Sequence, residues 1–427
     1  MAIKRGEYYD DLEIMSHEAR EEYLTKKLRR TISHAYHHAP ATRRLFDRNG
    51  LQPTDIRTIA DLVKLPVTRK TDVIEWQKQE PPYGGLLAIP EKEVERVFIS
   101  PGPIYEPQQV ARIKWFAKPF WAAGFRKGDV VINTFTYHMS PGGVLMHESL
   151  RDCGATVIPA GIGNTDAQIQ IMRDLKITGF TGTPSFLNTI IKRAEELGYN
   201  FKRDFSLKRA WFTGEMLPPS LRKIFEQEYS IITAQAYAVT EPGGAIAYEC
   251  TSHSGMHFMD DYVIEIVDPA TGKQLEEGEV GEIVVTPIHN LSWGLIRFGT
   301  GDLSGFTAEP CFCGRTANRL AGIIGRTGDA VKVRGMFIVS KQVEQVITNF
   351  EDITKFQLVV TRKSERDEIT LRAELKPGTK EIKARLMADL NEKFQNICRV
   401  KLDKIELLDS GTLPEQYHRI ADQRVWK

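Results

Sequence analysis

Three short segments of this 427-residue chain set glycines beside residues able to handle a sugar or a phosphate: FTGE (212–215), AYAVTEPGG (236–244) and RFGTGDLSGF (297–306). Small residues at a strand end let the backbone approach a ligand closely. Carboxylates there can hold ribose hydroxyls or Mg²⁺. Each segment alone reads better as a tight turn between strands. Three of them in one α/β pattern point to a nucleotide site at the C-terminal ends of strands, without naming the nucleotide. A second set is Cys250, His257, Cys311 and Cys313. Three thiols and an imidazole suit structural Zn²⁺. The spacing, C-x6-H and then a distant C-x-C, is looser than a zinc finger, so buried free thiols remain the competing reading and His253 a competing ligand. His34, His37 and His38 lie along a charged amphipathic stretch and read as surface or packing residues.

The elements that must position these residues follow from periodicity. SHEAREEYLTKKLRRTISHAYHHA has helical spacing behind a Ser16 start. Between about Val97 and Gly325, short apolar runs alternate with helical stretches. DVVINTF and ATVIPAG read as buried strands, DAQIQIMRDLK as a helix, and ITGFTGTPS and RAWFTGE as strands that end in turns. Such alternation predicts a mainly parallel sheet with crossover helices. MDDYVIEIVDPATGKQLEEGEVGEIVVTPI reads as a β-meander of alternating strands around a DPATG turn. After GRTGD come a strand AVKVRGMFI, a helix SKQVEQVITNF, a strand pair around a charged turn, a second helix and a last strand in VKLDKIELL. The fold class is therefore α/β. A large N-terminal domain (1–327) carries the sheets and the meander, and a small α+β domain (328–427) follows. Cys153 and Cys398 sit in apolar contexts and read as inert.

The 57 basic residues barely exceed the 56 acidic ones, which argues against nucleic acid as the main partner. No stretch approaches the roughly 20 apolar residues of a membrane span, and the N-terminus has no apolar run like a signal peptide. Five cysteines, an odd number, fit a reducing, cytoplasmic setting. A homodimer is left open.

In chain order, YYDDLEIMSHEAREEYLTKKL, LVKLPVTRKTD, GATVIPAGIGNT, TPSFL, AYAVTEPGGAIAYEC, LIRFGTGDLSGF, EPCFCGRTANR and GRTGDAVKVRGMFI resemble the phenylacetate–CoA ligase family of acyl-adenylate-forming, AMP-binding enzymes. The resemblance implies an acid–thiol ligase that uses ATP, Mg²⁺ and coenzyme A on an aromatic carboxylic acid, with the small domain as a mobile lid. It implies that Thr213, Gly214 and Glu215, with Ala236, border the adenine and that Tyr237 stacks on it. Thr240 and Glu241 match the catalytic phosphate and Mg²⁺ contacts. Asp302 matches the ribose carboxylate, Arg326 the hinge arginine, and Ser100 and Gly102 the phosphate loop. Tyr137, Gly243 and Gly244 match the acyl pocket. Some members hold a metal at places matching Cys250, His257, Cys311 and Cys313, which favours zinc there.

Three positions depart from the family. Its loop SSGTTGKP is SPGPIYEP at 100–107, which sets Glu106 where a lysine would face phosphate. Proline also removes N–H donors. Gln416 stands where a C-terminal lysine is expected, with His418 and Arg419 the nearest cationic candidates. Gly328 replaces an acidic hinge residue. Ser140 stands where an aromatic residue is common. The first three changes fall on ATP activation; Ser140 falls on the acyl pocket and implies an acid larger or more polar than phenylacetate. Two alternatives follow: a relative impaired in adenylation that acts on acyl-AMP or acyl-CoA, and a non-catalytic binder of AMP or acyl-CoA.

Overall fold

The computed structural model describes residues 7–100, 103–109, 117–334, 336–363, 366–377 and 383–424. Its largest sheet has nine strands. Five of them, Val130–Asn133, Thr156–Pro159, Gly179–Gly182, Arg209–Phe212 and Ile232–Val239, pair in parallel. Parallel strands need crossovers, and the helices Gly142–Asp152, Thr165–Asp174 and Pro184–Glu196 supply them. Side chains alternate across each strand. Val131 and Trp211 enter one core with Phe120 and Leu150, while Ile132 and Phe212 enter another with Ile169 and Leu187. Both faces are thus covered, as a parallel sheet requires. DVVINTF is a buried strand as expected. ATVIPAG is not: Thr156 and Pro159 are exposed because this strand lies at the sheet edge.

After Val239 the pairing turns antiparallel, through Gly244–Glu249, Met256–Phe258, Arg319–Leu320 and Phe306–Thr307. The reversal needs left-handed backbone, and Gly243 and Gly244 supply it at φ +102° and +138°. The meander forms a separate sheet of Tyr262–Val267, Gly281–Pro287 and Phe298–Ser304, with Gly325–Arg326 as a fourth strand. Its first two strands do not alternate between buried and exposed; nearly every residue is covered. Ile266, Ile283 and Val285 face the large sheet's core. On the other side, Leu28 and Ile32 of the helix His17–His38 pack against Val263, Ile288 and Ile296. That helix starts where its cap predicts, with Ser16 Oγ accepting from Ala19 N.

The last hundred residues have a core of their own, with Val343, Leu358, Leu371, Leu390 and Phe394 at its centre. AVKVRGMFI is a hairpin, Ala330–Val333 with Met336–Val339, and not a single strand. Arg334 at φ +51° turns it. A further strand, Ile420–Asp422, pairs in parallel with Ile353–Lys363; three residues are too few to show a period. No helix among the described residues is long and apolar enough to cross a membrane.

Arg297, 1% exposed, immediately precedes the strand Phe298–Ser304. Its Nε and Nη2 donate to Glu265 at 3.1 and 2.9 Å, Nη1 to Leu65 O at 2.6 Å, and Nη2 also to Gly272 O at 2.6 Å. Replacing one partner of such a pair strands a charge in the interior. Glu265→Ala is expected to lower the unfolding free energy by about 3–5 kcal/mol, measured by denaturant titration. A loss below about 1 kcal/mol, the scale of an exposed pair, would contradict this.

Candidate active site

A cavity of about 260 Å³ opens between the two sheets of the larger unit. Thr213, Gly214 and Glu215 line it from the turn after Arg209–Phe212, Ala236 and Tyr237 from Ile232–Val239, and Asp302 from Phe298–Ser304. Six residues singled out from sequence therefore converge. Gly214 sits at φ +81°, which explains its type. Glu215 is held by Ser185 Oγ at 2.9 Å, and Thr213 Oγ1 is buried without a protein partner. Tyr237 donates its hydroxyl to Asp302 Oδ2 at 2.8 Å, and Arg326 Nε donates to Oδ1 at 3.0 Å. Burial first, then the charge of Asp302, pushes the Tyr237 phenol well above its ordinary value, so it remains a donor.

Sequence reasoning missed Met216, Gln235 and Met256 in this lining. Gln235 is a spacer: it accepts from Leu217 N at 2.9 Å and donates to Glu249 at 2.9 Å. Lys341 of the small unit reaches Met216 Sδ at 3.8 Å, which brings that unit to the cavity's rim.

Thr240 and Glu241 form a neighbouring cluster. Thr240 Oγ1 donates to Glu241 Oε2 at 3.2 Å, and Lys70 Nζ lies 2.8 Å from Glu241 Oε1. Lys70 is a further missed residue. It stands in LVKLPVTRKTD, a segment that resembles the family, but nothing in its local pattern gave it a role; only the fold brings it to Glu241. It opens the helix Lys70–Gln79. Farther along that helix, Gln77 clamps Tyr105, donating to its O at 2.8 Å and accepting from its N at 2.9 Å.

This clamp holds one strand of a hairpin, Arg96–Ser100 with Ile104–Gln108, whose strands run through the 100–107 segment. Gly102 lies outside the described residues; Ser100 is buried. Glu106 is 6% exposed, on the buried face of the hairpin. Its carboxyl is pushed up to about 7, mainly by burial and further by Glu241, with Ser100 and Lys70 acting in the opposite direction. Burial, which the local sequence did not reveal, thus moderates the expected negative charge. Because the folded state holds this proton to a higher pH than the unfolded chain, Glu106 costs stability as pH rises through about 4.5–7 and throughout the alkaline side. Glu106→Gln is expected to raise the melting temperature more at pH 8 than at pH 5; an equal shift at both would refute the assignment.

Tyr137, Gly243 and Gly244 are not among the residues that line the cavity. The Tyr137 hydroxyl accepts from Asn133 Nδ2 at 2.8 Å and lies 3.1 Å from His147 Nδ1; burial pushes its phenol up to about 12. A Cβ on Gly243 would come 3.8 Å from His289 Nε2. Gly328 has open space around it, so packing does not require glycine there. Arg419 pairs with Glu344 at 3.1 Å, and its carbonyl and that of His418 accept from Leu358 N and Gln357 Nε2. Both cationic candidates are thus tied to the small unit.

The ligand atoms of Cys250, His257, Cys311 and Cys313 all lie within 4.8 Å of one another. Cys250 and Cys311 Sγ are 3.7 Å apart, and Cys313 Sγ is 3.4 Å from His257 Nε2. A tetrahedral Zn²⁺ with ordinary bond lengths sets sulfur–sulfur edges of about 3.8 Å and sulfur–nitrogen edges of about 3.5 Å. His257 Nδ1 faces Ala317 O at 3.2 Å, which turns Nε2 toward the thiols. His253 instead meets Arg222 at 2.9 Å and is no part of the group. His34 and His37 contact backbone carbonyls, consistent with packing roles.

A parallel sheet that turns antiparallel beside a cleft of this composition, with a separate α+β unit at its rim, defines an adenylate-forming enzyme. Family models agree: residues 108–291 match the AMP-binding enzyme model and 335–424 the AMP-binding enzyme C-terminal domain. The chain is 32% identical to the phenylacetate-coenzyme A ligase of Thermus thermophilus, over 98% of its own length and 99% of that protein's. Among solved structures it is similar to an open conformation of 2-hydroxyisobutyryl-CoA ligase in complex with 2-HIB-AMP and CoA, with TM-score 0.90, 25% identity, and 99% and 96% of the two chains covered. Against the same ligase in its thioesterification state the score is 0.73, at 25% identity and 99% and 94% coverage. The chain belongs to the phenylacetate–CoA ligase family of AMP-binding enzymes, and it is an acid–thiol ligase that forms an acyl-AMP and passes the acyl group to CoA. The impaired and non-catalytic alternatives are not favoured.

Proposed function

We propose that the acid this ligase activates is aromatic, and that the residues brought together above divide the work as the family resemblance implies. Thr213, Gly214, Glu215 and Ala236 border the adenine, Tyr237 stacks on it, and Asp302 takes the ribose hydroxyls. Thr240, Glu241 and Ser100 meet the phosphates, and Arg326 acts at the hinge. Tyr137, Gly243 and Gly244 shape the acyl pocket. The division of the chain at 327/328 belongs to the same reading, supported by the separate core of the last hundred residues. The observation that carries the reading is the convergence of Thr213, Gly214, Glu215, Ala236, Tyr237 and Asp302 on one cavity.

Activation is in-line attack of the acid's carboxylate oxygen on the α-phosphorus, with pyrophosphate leaving. The CoA thiolate then attacks the acyl carbonyl and AMP departs. Both steps are matters of positioning and charge neutralisation. Glu241 fits a divalent cation, since its carboxylate already draws an ammonium to 2.8 Å; Mg²⁺ there would neutralise phosphate charge. With no lysine in the loop and Gln416 near the C-terminus, Lys70 is the cation placed to help. Lys70→Ala is expected to slow pyrophosphate exchange by roughly 10- to 100-fold, the worth of a charged hydrogen bond, with a smaller effect on thioester formation from preformed acyl-AMP. The wild type should form acyl-CoA from phenylacetate or a substituted relative faster than from short aliphatic acids. A preference for aliphatic acids would overturn the aromatic assignment.

Zn²⁺ in the Cys250, His257, Cys311 and Cys313 group is the second part of the proposal, supported by the two edge lengths. The site would be structural, because four protein ligands leave no open position. The strand Met256–Phe258 carries His257 to the metal group and Met256 to the cavity wall, so the ion would brace that wall. Elemental analysis should find close to one zinc per chain, and Cys250→Ser should lose the metal and melt at a lower temperature. A stoichiometry near zero in protein purified without chelator removes the zinc.

A further inference from the structure

The carboxylate of Asp302 is held by two partners that differ in kind. Arg326 approaches Oδ1 at 3.0 Å from the neighbouring strand, where the two residues are register partners. Its side chain is 67% exposed, and an ion pair so open is screened and weak. Tyr237 approaches Oδ2 at 2.8 Å from the nine-stranded sheet, and that residue is 8% exposed. A hydroxyl-to-carboxylate bond is charge-assisted, and with its phenol end buried this one is less screened than the exposed guanidinium.

The backbone of Asp302 is already fixed without Tyr237. Its N–H donates to Thr300 Oγ1 at 3.1 Å, and Thr300 in turn donates to Ile283 O at 2.9 Å. What remains free is the rotation of the carboxylate plane, a soft torsion in aspartate. A hydroxyl anchored in the other sheet can stop that rotation.

We propose that the Tyr237 hydroxyl is a positioning group for the sugar: it fixes the carboxylate plane of Asp302 so that the nucleotide site discriminates ribose from deoxyribose. This rests on the nucleotide reading above and goes beyond the stacking role of the ring. One side chain then sets the base plane with its ring and the ribose acceptor with its oxygen. The rival account is that a buried phenol simply needs a partner, in which case the bond carries no nucleotide preference.

The two accounts separate by calorimetric titration of AMP and 2′,3′-dideoxy-AMP into the wild type, Tyr237→Phe, Asp302→Asn and the double variant. Phenylalanine keeps the ring and the packing. Tyr237→Phe is expected to weaken AMP roughly tenfold while leaving the dideoxy nucleotide within about twofold, the scale of one charged hydrogen bond. In the Asp302→Asn background the same change should cost AMP nothing further. Equal weakening of both nucleotides, or undiminished discrimination in Tyr237→Phe, overturns the proposal. So does a wild type that binds both alike. A wild type that binds neither nucleotide overturns the nucleotide site itself, and this proposal with it. Each of these results is read without any ligase turnover.

Discussion

Among the charge pairs buried in the larger unit, one ties the strand that carries Asp302 to its surroundings. Arg297 and Glu265 are both almost fully enclosed, and the guanidinium spends its remaining donors on Leu65 and Gly272 carbonyls. A buried pair is tolerated only when every donor and acceptor finds a partner. Here that condition ties three places together: the approach to the helix Lys70–Gln79, the loop of the meander and the start of the strand Phe298–Ser304. That strand carries Asp302. Asp302, the carboxylate proposed for the ribose, therefore inherits its position from an ion pair outside the cavity lining.

The second dependence is between sheets. The cavity exists because the large sheet, after its last parallel strand, reverses at Gly243 and Gly244 and leaves room beside the meander. The Tyr237–Asp302 bond crosses that gap. Below it, Met256 and His257 are adjacent on one strand and point to opposite duties, the cavity wall and the metal group. Alternation of side chains in a strand makes this division automatic.

The phosphate end shows how a charge can be reassigned by folding. The strand Ile104–Gln108 is pinned by Gln77, with Glu106 turned inward. The helix that supplies the pin also supplies Lys70 to Glu241. A basic group from a segment distant in sequence thus stands beside Glu241.

Much of this was legible in the residues. Short continuous apolar runs separated by helical stretches pointed to the parallel sheet between Val130 and Val239, because a strand covered on both faces can be apolar on both. The family motifs marked Thr213, Gly214, Glu215, Tyr237 and Asp302 as one set, and the thiols and imidazole that the sequence grouped do lie together. Other features depend on contacts remote in sequence. The exposure of Thr156–Pro159 follows from which strand ends the sheet, the burial of Glu106 from what packs over the hairpin, and the roles of Lys70 and Gln77 from a helix laid against a loop. Local sequence encodes period and chemical type. Burial, charge pairing and the hydrogen-bond partner of each side chain are properties of three-dimensional neighbours, and only the tertiary structure decided them.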